Sequence, residues 1–196
     1  YFGMGNENRR IENPGYTYTV RQNEFRIRPS LSFEPFSRLS LSIGGGVRYV
    51  GHDLDDVLQY LLLEQPYGYD KMLFMEGSAA LRFDSRDNET WPRSGLLLTA
   101  EVTAVPASFD ALETWTGMAC DARTYLTAAV LPGATLALRA AGRRIEGKAP
   151  FFASAFLGGI ENLRGFEKNR FAGTSSVFTA AELRFGVADI FVLLPT

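Results

Sequence analysis

The chain has 196 residues, 46% of them hydrophobic and 13% aromatic, and a formal charge of −2. That length suits one domain or part of a larger one. The apolar content argues against disorder, and the near-neutral charge lacks the basic excess of a nucleic-acid binder. Seventeen Arg stand against three Lys, at Lys71, Lys148 and Lys168, a skew that favours planar, paired guanidinium groups over solvated ammonium heads. Cys120 alone permits no internal disulfide, and His52 alone permits no histidine-rich metal site. No metal or cofactor is expected. The first ten residues carry neither the charged start nor the apolar run of a secretory signal, so the chain is expected to be cut from something longer. No apolar run reaches about eighteen residues, which excludes a membrane helix but not a membrane β-barrel.

In chain order, Phe2 to Gly5 reads as a strand end, followed by a polar loop through Asn13, Pro14 and Gly15. Apolar residues then fall on even positions (Tyr16, Tyr18, Val20) before switching to odd ones (Phe25, Ile27, Leu31, Phe33), which predicts a bulge or break near Asn23. After a tight turn at 35–38, Leu39 to Tyr49 alternates. The insertion 51–70 carries Leu54, Val57, Leu58, Leu61 and Leu62 at helical spacing behind a possible cap at Asp53, so a short helix is expected in a long outer loop. Period-two strands follow around 73–83, 96–104, 118–130, 135–144 and 176–185, each with one apolar and one polar face.

A soluble β-sandwich acting as a binding module hides the apolar faces inside, whereas a membrane barrel turns them towards lipid around a polar lumen. Three features favour the barrel. The strands run about ten to fourteen residues, against about five or six in soluble sheets. The apolar faces carry charge only at their ends, at Lys71 and Arg144, while the polar faces mix Arg with Asp and Glu. Short connections at 35–38, 131–133 and after Gly186 alternate with long ones at 51–70, 106–117 and 145–175, as periplasmic turns alternate with outer loops. Phe33, Phe83 and Phe185 then fall at the periplasmic rim as an aromatic girdle. The expected fold is therefore all-β, an antiparallel up-and-down transmembrane β-barrel, with residues 1–196 forming part of one barrel domain. About seven full strands are too few and of the wrong parity to close a bacterial barrel, so they form an incomplete fragment of a larger one.

The longest interval, 145–175, carries Gly158 and Gly159, then Leu163-Arg164-Gly165-Phe166, ahead of a strand containing Ala181-Glu182-Leu183-Arg184. Upstream lies the polar turn Asp84-Ser85-Arg86-Asp87-Asn88, with Pro92 and Gly95. Together these resemble the carboxy-terminal half of the BamA/TamA-like outer-membrane assembly barrels, the bacterial surface antigen superfamily. The resemblance covers Met72 to Thr196 well and the first seventy residues weakly. It implies a bacterial outer-membrane barrel of about sixteen strands that inserts, assembles or translocates proteins and carries no enzymatic step. Its implied partners are outer-membrane lipids such as lipopolysaccharide and unfolded outer-membrane protein substrates. Related barrels also anchor upstream periplasmic enzyme domains, phosphoesterases or patatin-like lipases, which is the alternative reading.

A loop of this length can fold back into a lumen, and its glycines permit the reversals that such a path needs. Arg164 would then meet a carboxylate on the inner wall, with Phe166 buried as an anchor. The resemblance places Glu182 opposite the loop arginine; face assignment alone offers Asp121. Asp84, Arg86, Asp87 and Asn88 are expected to form a local polar network in a periplasmic turn, without the ligand spacing of a dedicated calcium loop. No serine sits in a nucleophile elbow, and no catalytic residue is expected.

Overall fold

The computed structural model describes residues 20–53, 60–127 and 133–185. Residues 54–59, which carry most of the expected helical stripe, lie outside this range, as do the readings at Phe2 to Tyr18, Ala128 to Pro132 and beyond Phe185. Seven strands come first: β1 (Arg21–Ile27), β2 (Ser30–Phe36), β3 (Leu39–Asp53), β4 (Met72–Asp84), β5 (Gly95–Val105), β6 (Trp115–Thr127) and β7 (Ala134–Gly147). Three follow: β8 (Ala155–Leu157), β9 (Phe171–Gly173) and β10 (Ser175–Phe185). A short helix α1 (Tyr60–Glu64) lies between β3 and β4, and Asp53, read from sequence as a helix cap, is the last residue of β3.

One antiparallel sheet runs in the order β1-β3-β4-β5-β6-β7-β10, with β2 extending β1 along the same side of β3. The bulge expected near Asn23 is absent. Arg21 pairs with Asp53 and Ile27 with Val47 without a shift, and the same register resumes at Ser30 opposite Gly44. The formal gap falls instead at Arg28-Pro29, where proline has no N–H to give, and its carbonyl still accepts from Gly45 at 3.2 Å. The register shift lies between Phe33 and Phe36, at the turn into β3. β1 and β2 thus act as one long edge, which with β3–β7 and β10 makes the up-and-down wall that the alternation predicts.

The two faces decide between sandwich and barrel. Leu31, Phe33, Ile43, Met75, Leu98, Val102, Met118, Leu138, Val177 and Leu183 share one face and are all exposed, Leu31 at 78% and Val177 at 75%. A soluble sheet would cover such a row; a bilayer covers it here. The opposite face carries the charges. On it Arg26 pairs with Glu76 at 3.1 Å and Arg48 with Glu24 at 3.0 Å, while Arg28 reaches Glu101 at 3.6 Å across β3 and β4. Backbones three strands apart in a flat sheet stand about 14 Å from each other, so that last pair requires the sheet to curl towards its charged face.

A second layer sits on the outer end of this inner face. Val50, Met72, Phe74, Val105, Trp115 and Ile145 occupy the polar phase of their strands yet are buried, packed with Ala153 and Ala155 from the segment after β7. Phe74 stacks on Phe152 at 6.3 Å between ring centroids and meets Trp115 edge-on at 6.4 Å. This patch roots the long connection to the wall.

The lipid-facing side of β7 runs from Ala134 to Arg144, ten residue steps that span about 25 Å at the usual strand tilt. Leu138 stands near its middle, and the ladders carry the adjacent Ala140 through Ala122 to Leu98. Leu98→Arg or Leu138→Arg is expected to cost about 2–4 kcal/mol, while Thr99→Arg, beside Asp121 on the inner face, costs far less. Urea unfolding of the lipid-reconstituted full-length protein measures the difference, and equal costs would reverse the assignment of faces.

Candidate functional site: the loop seated on the inner wall

The connection from β7 to β10 is more ordered than its lack of periodicity suggests. β7 runs on to Gly147, a 3-10 turn spans Phe151–Ala153, and β8 and β9 pair as a small ladder from Ala155–Gly173 to Leu157–Phe171. This ladder forms the neck of a closed loop. At its mouth Gly158 donates to the side chain of Asn162 at 2.8 Å, Gly159 donates to the Phe166 carbonyl at 3.0 Å, and Leu163 donates back to the Gly159 carbonyl at 3.1 Å. Gly158, Gly159 and Gly165 all take positive φ, at 124°, 94° and 94°. At Gly158 the constraint is also spatial, because a Cβ would stand 2.2 Å from the Glu167 carbonyl oxygen.

Arg164 and Leu163 line a cavity of about 490 Å³ together with Arg123, Arg139, Glu182 and Arg184 of the inner wall. The loop arginine and its expected partner therefore border one space, but no ion pair joins them among the described residues. Glu182 is bonded to Arg184 at 2.9 Å. Asp121 is occupied as well: Arg123 takes it with two bonds at 2.9 and 3.1 Å, and Arg139 takes Oδ2 through Nε at 2.9 Å and through Nη2. Phe166 is half exposed and meets Phe171 of its own loop at 5.2 Å instead of a wall side chain.

The contact that ties the tip of the loop to the wall involves a residue the sequence did not single out. Arg139 of β7 donates Nη1 to the main-chain carbonyl of Glu161 at 2.7 Å, and its guanidinium lies 4.8 Å from the centroid of Phe178. Nearer the root, Arg143 donates to the Ala153 carbonyl at 3.4 Å.

The turn after β4 folds under the same wall. Asp84 takes Arg86 through Nε at 2.9 Å and Nη2 at 2.8 Å, and also Arg82 at 2.6 Å. Asp87 accepts the N–H groups of Ser94 and Arg93, which hold its carboxyl below the usual range. Asn88 accepts from Thr90 and Trp91. So braced, the turn places Trp91 against the guanidinium of Arg184 at 5.1 Å, and Tyr125 lies 5.6 Å from the same group. Arg184 thereby links the turn, the wall and Glu182.

The family of this curled antiparallel wall is decided by comparison with known proteins. The profile of the Omp85 superfamily domain matches residues 5–192. The chain belongs to the Omp85 superfamily. Among solved structures, the crystal structure of BamA from Haemophilus ducreyi lacking POTRA domains 1–3 aligns with this Omp85 chain at a TM-score of 0.69 and 13% identity. The alignment covers 88% of this chain and 39% of that one, a likeness of fold. A search of curated proteins returns no match. Among the described residues of this Omp85 wall, no group of three His, Cys, Asp or Glu side chains is placed to hold a metal ion.

Two substitutions probe how the loop is held. Phe74 is fully buried beneath its root, so Phe74→Ala is expected to cost about 3–5 kcal/mol in urea unfolding and to expose the loop to protease. Gly158→Ala, which meets the Glu167 carbonyl, should open the loop far more than Gly165→Ala, whose Cβ enters open space and brings only backbone strain of about 1–3 kcal/mol. Hydrogen exchange across residues 156–171 reads both.

Proposed function

We propose that this Omp85 wall works in the insertion, assembly or translocation of proteins at the bacterial outer membrane, with the loop 156–171 as its regulatory insert. The apolar belt contacts outer-membrane lipid, and the protein partners are unfolded outer-membrane polypeptides. The work in this reading is mechanical and carries no enzymatic step. One observation carries the reading most directly. Arg164 and Glu182 border a single cavity between the loop and the wall, and an ion pair there would fasten the loop from inside.

In this reading Glu182 exchanges one guanidinium for another. Arg184 satisfies it at 2.9 Å when the loop arginine is away, so the carboxylate is never left uncompensated in a partly dry lumen. Engagement of Arg164 replaces one charge-assisted pair by a similar one, and the exchange is nearly balanced in energy. A near-balanced exchange is what a switchable insert requires.

Arg164→Ala in the full-length protein is expected to lower the levels of folded outer-membrane proteins while the variant itself still reaches the membrane. Quantifying those proteins in isolated envelopes is the test, and unchanged levels with normal viability would sink the assembly reading. A barrel that only anchors an upstream periplasmic enzyme tolerates the change, with envelope protein levels intact.

A further inference from the structure

Asp121 is engaged by Arg123 and Arg139 through both of its oxygens and makes no pair with Arg164. Its geometry suggests a different task. Arg123 of β6 and Arg139 of β7 stand directly opposite each other in the ladder, an arrangement of like charges that is unfavourable without a counter-ion. Asp121 supplies it, and in doing so fixes the plane of the Arg139 guanidinium: Nε and Nη2 point at the carboxylate while Nη1 is left free on the loop side. Phe178 of β10, 4.8 Å from the guanidinium carbon, restrains the group further. What Nη1 then meets is the carbonyl of Glu161 at 2.7 Å.

We infer that Arg139 is the residue that holds the loop tip on the wall, through a main-chain carbonyl, and that Asp121 is a positioning residue acting through it. The hook reads the path of the loop backbone and ignores its side chains. It is independent of Arg164, which lies three residues further along and has its own candidate partner. The loop is thus held at two heights, at the root by Phe151 and Phe152 packed against His52 of β3 and Phe74 of β4, and at the tip by Arg139. Lysine cannot replace Arg139, since one ammonium lacks the fork that serves a carboxylate with two nitrogens and presents a third to a carbonyl.

The test uses the purified full-length protein in detergent. Trypsin cleavage after Arg164, Lys168 and Arg170 reads release of the loop, and heat-modifiable migration reads the integrity of the barrel. Arg139→Lys and Asp121→Asn should each speed loop cleavage about tenfold, the effect of losing one hydrogen bond to a charged group, with the barrel still heat-modifiable. The double variant should be no faster than either single one, because both remove the same bond. Glu161→Ala should leave cleavage unchanged, since the acceptor is main chain. Protection that survives both Arg139→Lys and Asp121→Asn in an intact barrel overturns the proposal, as does a loop released by Glu161→Ala. Where Arg139→Lys fails to fold, Asp121→Asn decides alone, because it keeps the guanidinium and removes only its orientation: faster cleavage upholds the hook and unchanged cleavage overturns it.

Discussion

A peptide group in hydrocarbon has no water to bond, so each N–H and C=O must find its partner within the wall. The rest of this structure answers to that constraint. The ladders run without a break from Leu39–Phe83 to Phe185–Ala134, and even the Arg28-Pro29 interruption keeps its register, with the proline carbonyl still accepting from Gly45. With the backbones of β3 to β7 paired on both sides, their lipid-facing side chains need only be apolar. Away from the strand ends, the charged groups lie on the other face.

A wall charged on its inner side has two further needs, counter-ions and filling. The first is met along and across strands: Arg26 and Arg48 with Glu24 and Glu76, Arg28 with Glu101, and Arg123 and Arg139 with Asp121. The second is met by the long connection. Its Phe151 and Phe152 pack where the strand ends turn apolar, and its tip lies where wall arginines have donors to spare. The loop's position therefore follows from the pattern of the wall as much as from its own glycines.

The strands, their faces and the pairing order were legible because period two is a property of the backbone and leaves a trace at every residue. The phase switch near Asn23 misled because Val20 and Phe25 differ in parity although the pairing from Arg21 to Ile27 runs straight; an apolar residue at a strand end signals burial by a neighbour, not a change of register. That same signal went unread at the buried patch. Val50, Met72, Phe74, Trp115 and Ile145 are apolar in the polar phase of their strands, all at outer ends, and Phe151-Phe152 is the matching pair in the loop. The Arg139 hook left no trace, since its acceptor is a carbonyl that any residue provides. The stacking of Trp91 on Arg184 was equally hidden, because it joins residues far apart in sequence across β5, β6 and β7.

The preference for arginine over lysine finds its physical basis in these contacts. Arg48 bonds Glu24 while its guanidinium lies 5.9 Å from the Phe74 ring and 5.7 Å from that of Phe152. Arg184 bonds Glu182 between Trp91 and Tyr125, and Arg139 bonds Asp121 and a loop carbonyl beside Phe178. Each is a planar cation with acceptors at its edge and a ring against its face, which an ammonium cannot offer. The three lysines are all exposed, and Lys148, which pairs with Glu113 over the Tyr67 ring, makes one ion pair where the arginines use several nitrogens. The wall needs cations that engage several partners at once in a confined lumen, and the same property lets the loop be held by groups that also hold the wall.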